Sequence, residues 1–148
     1  MTTPSRARVA PKPEDFPHRT TESVRFGDLD ANQHVNNAVF STFFETGRVT
    51  LFRPPERGLM PPGLLWTLAQ ITIDYRGEMN WPGSVEVCIG AASLGRTSAV
   101  FEQALFYEGK CAATARAVNV LIDSTTRRPT PITDDIRANF ARWMIRSG

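Results

Sequence analysis

Residues 26 to 37, FGDLDANQHVNN, gather two carboxylates (Asp28, Asp30), the imidazole of His34 and the amides of Asn32, Gln33, Asn36 and Asn37 into a stretch of little apolar volume. Such a set can work on a carbonyl group. A carboxylate can draw a proton from water or attack the carbon itself, while imidazole and amide groups orient substrate or water. The text immediately downstream reads as a helix. The first N–H groups of a helix, with its dipole, favour charge developing on a carbonyl oxygen. The same residues also suit a plain turn, with Asp28 and Asp30 shaping the loop by Asx-type hydrogen bonds, Asn36 capping the helix and His34 packing.

Other chemistries find little support. Only two histidines occur, His18 and His34, with no H-x-x-x-H spacing and no cysteine cluster, so the sequence offers no metal-ligand set. No G-x-S-x-G marks a serine hydrolase. Seventeen basic and fifteen acidic residues leave a formal charge of +2, with the arginines scattered rather than interleaved with aromatics, which argues against nucleic-acid binding.

The elements that must position these groups follow from periodicity. TESVRF (21 to 26) alternates weakly and reaches Gly27, which predicts a first strand feeding the loop. From Asn36 to Arg53, Val39, Phe40, Phe43, Phe44, Gly47 and Leu51 recur at three- and four-residue spacings, predicting a helix that Pro54 and Pro55 end. Gly47 inside it costs about 1 kcal/mol relative to alanine, which points to close approach of a neighbouring sheet. Four long runs then read as strands: 64 to 77, 84 to 95, 98 to 109 and 110 to 123. The short turns WPG, GRT and EGK between them imply a mainly antiparallel sheet. Thr133, with Asp134 and Asp135, predicts a capped C-terminal helix through Met144.

This order describes a single α+β domain over 19–148, an antiparallel sheet wrapped around one helix. One helix cannot cover both faces and the edges of such a sheet, so a homodimer or higher oligomer is expected. Residues 1–18, rich in Pro and Arg, read as a flexible leader, with His18 a surface histidine at its edge. The leader lacks the apolar run of a signal peptide, and no stretch approaches the roughly 20 apolar residues of a membrane helix. Cys88 and Cys111 sit singly in strand-like text and read as reduced thiols, so the expectation is a cytoplasmic protein away from any membrane.

FGDLDANQHVNN followed by AVFSTFFETGR, then LGRTS and AVNVLID with STTRRPTPI, resembles the 4-hydroxybenzoyl-CoA thioesterase branch of the hotdog-fold superfamily, including its acyl-CoA thioesterases with an HVNN element. The similarity runs over residues 20 to 132. It implies a hotdog fold whose subunits pair into a continuous sheet with active sites at the dimer interface. It also implies an acyl-CoA thioesterase in which coenzyme A is part of the substrate and no cofactor is required. The second aspartate of D-x-D, Asp30, would be the catalytic carboxylate, and the backbone N–H near Asn37 would polarise the thioester carbonyl. His34 and Asn36 would line the site and Asp28 would support the loop. Phe40 stands where family members commonly carry tyrosine, so a contact made by that hydroxyl is lost from the substrate pocket.

Some other hotdog thioesterases use a helix carboxylate, which draws attention to Glu45; with Arg48 three residues on it can equally form a surface or interface ion pair. Arg96 and Ser98 in the GRTS turn are candidates for binding the pantetheine or phosphates of coenzyme A, with Arg127 and Arg128 as alternatives for phosphate. Two other functions fit the same residues: a hotdog protein that binds acyl thioesters without hydrolysing them, and a thioesterase acting on acyl carrier protein.

Overall fold

In the computed structural model, which describes residues 10–146, the apolar runs pair as one five-stranded sheet. Its strands are β1 (His18–Ser23), β2 (Leu64–Tyr75), β3 (Ser84–Leu94), β4 (Ser98–Tyr107) and β5 (Lys110–Asp123), in the order β1-β3-β4-β5-β2. Each neighbouring pair is antiparallel. Two of these pairings, β1 with β3 and β2 with β5, join strands that do not follow one another in the chain, so they are not hairpins. Helix α1 (Asn37–Phe52) fills the space they enclose.

The core shows why these residues make this layout. Phe40, Phe43 and Phe44 of α1 pack on Val85, Val87, Leu105, Ala113 and Ala115. Further along the helix, Leu51 and Phe52 meet Ile89, Phe101, Ala117 and Leu121. The alanines of β5 leave room for the large helix side chains, and each fully buried phenylalanine or leucine contributes roughly 1.5–3 kcal/mol. This is the hotdog layout, an antiparallel sheet around one long helix.

Gly47 marks the closest approach. A Cβ there would stand 2.8 Å from Val87 Cγ1 and 3.0 Å from Gln103 Nε2. Gln103 itself is buried and donates from Nε2 to the Phe44 carbonyl at 2.8 Å, pinning the helix backbone to β4. Its Oε1 accepts from Arg48 Nη1 at 3.0 Å. Arg48 is therefore turned inward, and burial pushes its pKa down, partly offset by Glu45. Among the described residues Glu45 and Arg48 form no ion pair; Glu45 stays exposed.

Several boundaries differ from expectation. The first strand begins at His18 and stops at Ser23, because Phe26–Asp28 turns into a short 3-10 helix. The part of the expected flexible leader that falls within the described residues is held against the sheet: Phe16 is buried with Cys88, Ala104 and Phe106 on the face away from α1. Residues 1–9 lie outside the described residues. His18 is not a free surface histidine. It is half-buried, its Nε2 lies 2.9 Å from Thr50 Oγ1, and its ring stands edge-on to Trp143. The Thr50 hydroxyl spends its hydrogen on the Thr46 carbonyl at 2.8 Å, so Nε2–H is the donor to it. The C-terminal helix α2 is shorter than expected, Asp134–Asn139, capped by Thr133 accepting from the Ile136 N–H. Its continuation is a 3-10 turn, Phe140–Trp143, after which Met144 bridges to Ala91 of β3.

Candidate active site

The loop 26 to 37 is built on Asp28. This carboxylate is 2 % exposed; its Oδ1 accepts from Arg25 Nε and Nη2 at 3.1 and 2.8 Å, and its Oδ2 from the Arg25 N–H at 2.8 Å. Its carbonyl accepts from the Asn36 N–H at 2.9 Å, fixing where α1 begins. Both oxygens are engaged, which makes Asp28 a support for the loop.

Asp30 differs. Its backbone closes a tight turn, donating to the His34 carbonyl and accepting from the Gln33 N–H, each at 2.9 Å. Gln33 takes a left-handed φ of 63° to complete it. The side-chain Oδ1 is anchored by the Asn32 N–H at 2.9 Å and the His34 N–H at 3.4 Å. Oδ2 has no hydrogen-bond partner among the described residues. One oxygen holds the carboxylate in place and the other remains open.

At the start of α1 the first-turn donors are unequal. Asn36 Oδ1 caps the Ala38 N–H at 2.9 Å, and the Asn36 carbonyl accepts from Val39. Such a cap contributes about 1 kcal/mol. The Asn37 N–H is left without an acceptor among the described residues, a donor pointing out of the helix start.

Asp30, His34, Asn37 and Phe40 line one cleft of ≈ 380 Å³. Its other wall comes from the end of β2, where Tyr75 and Glu78 stand. The Val35 N–H bonds the Met79 carbonyl at 2.9 Å, clamping the two walls together. Tyr75 donates to the Asn37 carbonyl at 3.2 Å and meets Phe40 edge-on at 5.1 Å between centroids. Glu78 Oε2 lies 3.1 Å from His34 Nε2. Thus a hydroxyl stands beside the Phe40 ring, delivered by another element.

Of the sequence-derived site residues, Asp30, His34, Asn37 and Phe40 come together here. Asn36 does not line the cleft, because capping folds its amide back on the first turn; Asn32 lines it instead. Arg96 and Ser98 are far away within this chain: Ser98 pairs with Val120, and Val120 with Thr67, near the opposite end of β2 from Tyr75, roughly 25 Å along the strand. Arg127 and Arg128 follow the end of β5 in the same distant region. Tyr75 and Glu78 were missed. The available signal was parity, since Ile71, Ile73 and Tyr75 alternate toward the helix side. Among the described residues no cluster of three or more His, Cys, Asp or Glu side chains could hold a metal ion.

A family model described as the thioesterase-like superfamily matches residues 24–140. Among solved structures, the PA5185 protein from Pseudomonas aeruginosa is 28% identical, with a TM-score of 0.80 covering 93% of this chain and 98% of its own. A predicted thioesterase from Bacillus stearothermophilus is also 28% identical, at a TM-score of 0.78 over 88% of this chain and 98% of its own. A thioesterase from Thermus thermophilus, solved in complex with coenzyme A and Zn, is 31% identical, with a TM-score of 0.75 over 85% of this chain and 98% of its own. No curated protein matches this chain.

Proposed function

Since the chain belongs to the thioesterase-like superfamily, whose reaction class is thioester hydrolysis, we propose that it cleaves an acyl-CoA thioester to the free acid and coenzyme A at the cleft of Asp30. The observation that carries this reading is the pairing of an anchored carboxylate whose Oδ2 is free with the unused Asn37 N–H in one cleft. The amide and the helix dipole would stabilise the oxyanion that forms as Asp30 acts on the carbonyl or on water. Coenzyme A as the carrier is supported by the coenzyme A complex of the Thermus relative. It enters as substrate, and the residues assigned roles are the chain's own.

We also propose that the protein acts as a dimer or larger homo-oligomer. Among the described residues the outer edge of β2 pairs with no strand, and Leu68 and Tyr75 on it are 41% and 48% exposed. A second copy paired antiparallel along that edge would bring the Thr67 end of its own β2 beside Tyr75, and with it Arg96 and Ser98. The phosphate-binding candidates would then serve the neighbouring cleft. No described helix is long and apolar enough to cross a membrane. The two free thiols, Cys88 and Cys111, support a reducing compartment, the cytoplasm.

The test is a hydrolysis screen over short, long and aromatic acyl-CoAs and the matching acyl carrier proteins, following released thiol. Turnover of an acyl-CoA, lost in Asp30→Asn, is the expected result. Binding of acyl-CoA without thiol release would make the protein a non-catalytic binder, and preference for carrier-bound acyl groups would move the substrate to the carrier.

A further inference from the structure

Asn119 of β5 is 2% exposed, yet its Oδ1 has no hydrogen-bond partner, the one such atom among the described buried side chains. Its strand neighbours show which way the amide points. Ala117 and Leu121, two residues to either side, pack with Leu51 and Phe52 of α1, so Asn119 faces the helix side in apolar company. A polar group buried without a partner is costly, and a native structure that keeps one calls for an explanation.

The adjacent strand supplies an approach. Leu68, directly opposite Asn119 on β2, shares that face and is 41% exposed. The register slips between Leu68 and Gln70, leaving Ala69 as a bulge at the same level. Such a bulge bends the strand and re-aims the side chains next to it. From Leu68 the helix-facing side of β2 continues through Ile71 and Ile73, both half-buried, to Tyr75 in the wall of the cleft. Tyr75 lies opposite Ala113, so the run from the cleft wall to Asn119 covers roughly 20 Å of strand.

We propose that this apolar strip carries the acyl chain of the substrate and that Asn119, at its far end, selects chains that end in a hydroxyl group. The inference rests on the thioester-hydrolase reading and names its substrate class, long-chain ω-hydroxyacyl thioesters. Length and chemistry lead there separately. An extended chain advances about 1.2 Å per bond, so a run of roughly 20 Å takes about 16 bonds, the length of a palmitoyl chain with a terminal oxygen. A hydroxyl both donates and accepts, so it pairs with Oδ1 or, with the amide turned over, with Nδ2. A terminal methyl leaves the amide without a partner, and a terminal carboxylate would carry a charge into the cluster of Phe52, Trp66 and Phe101. Leu68, free on its outer side, turns aside for the chain end to reach the amide.

The experiment uses the full-length protein with palmitoyl-CoA, ω-hydroxypalmitoyl-CoA and β-hydroxypalmitoyl-CoA, whose hydroxyl lies near the thioester. For wild type, kcat/KM on the ω-hydroxy substrate should exceed that on palmitoyl-CoA roughly tenfold or more, while the β-hydroxyl should bring no gain. In Asn119→Leu, close in size but unable to hydrogen-bond, and in the smaller Asn119→Val, that preference should vanish or reverse. Without substrate, at least one of the two variants should melt at a higher temperature than wild type, because the unpartnered amide is gone. An absent wild-type preference, or one that both variants keep, would overturn the inference while leaving the hydrolase reading standing. So would a lower melting temperature in both variants, which would show the amide already satisfied in the folded protein. A wild type inert on all three thioesters would overturn that reading and the inference with it.

Discussion

The Tyr75 hydroxyl donates to the Asn37 carbonyl across 3.2 Å, tying the last residue of β2 to the first turn of α1. The amide proposed to polarise the substrate carbonyl thus belongs to a residue that the sheet itself holds in place. Tyr75→Phe keeps the ring against Phe40 and removes only this tie. The expected stability loss is about 1 kcal/mol or less. Turnover should fall roughly tenfold with KM little changed, because a slack helix start serves the transition state less well than the bound substrate. Steady-state kinetics beside thermal melting checks this; equal loss through KM alone would point to binding instead.

Asp30→Asn should reduce kcat by roughly 10³-fold or more. The amide oxygen can still accept from the Asn32 and His34 N–H groups, so the loop should keep its shape. Circular dichroism and sedimentation should match wild type. Retained hydrolysis would remove Asp30 from the mechanism.

Gly47→Ala should destabilise the fold even though alanine is the better helix former. The gain in helix propensity is roughly 1 kcal/mol. Against it stands a Cβ 2.8 Å from Val87 Cγ1, on a stiff β-branched side chain in the packed interior, and overpacking of that kind costs about 1–3 kcal/mol. A lower urea midpoint with an unchanged m-value is the expected signature.

Acid should weaken the protein through His18. Burial, reinforced by Arg57, lowers its pKa from 6.5 to about 4, so the native state holds the ring neutral while the unfolded chain protonates it first. The stabilising contribution is therefore present above about pH 6.5 and is lost as the pH falls toward about 4. Denaturant midpoints measured across that window should decline in wild type and decline less in His18→Gln.

What could be read from sequence follows how local each determinant is. The loop-to-helix junction was legible because Asn36, the three- and four-residue apolar spacing and Pro54 act on their own neighbours. Asp30 and Asn37 fell into place with it. Tyr75 and Glu78 reach the site only because β2 pairs with β5 and not with the strand that follows it, a long-range choice that no local pattern declares. Asn36 is kept out of the cleft by its cap on the Ala38 N–H, and Asn32 lines it instead. Phe16 looked like part of a loose leader because its partners, Cys88, Ala104 and Phe106, lie on distant strands.

The Arg146 N–H bonds the Asp15 carbonyl at 2.9 Å, and Ile145 packs beside Phe16 on the outer face of the sheet. The two extremities of the described chain are thus buckled together on the side of the sheet away from α1. A short peptide joining them would leave the cleft untouched and turn the fold into a nearly closed ring, which could then be cut open at another surface turn.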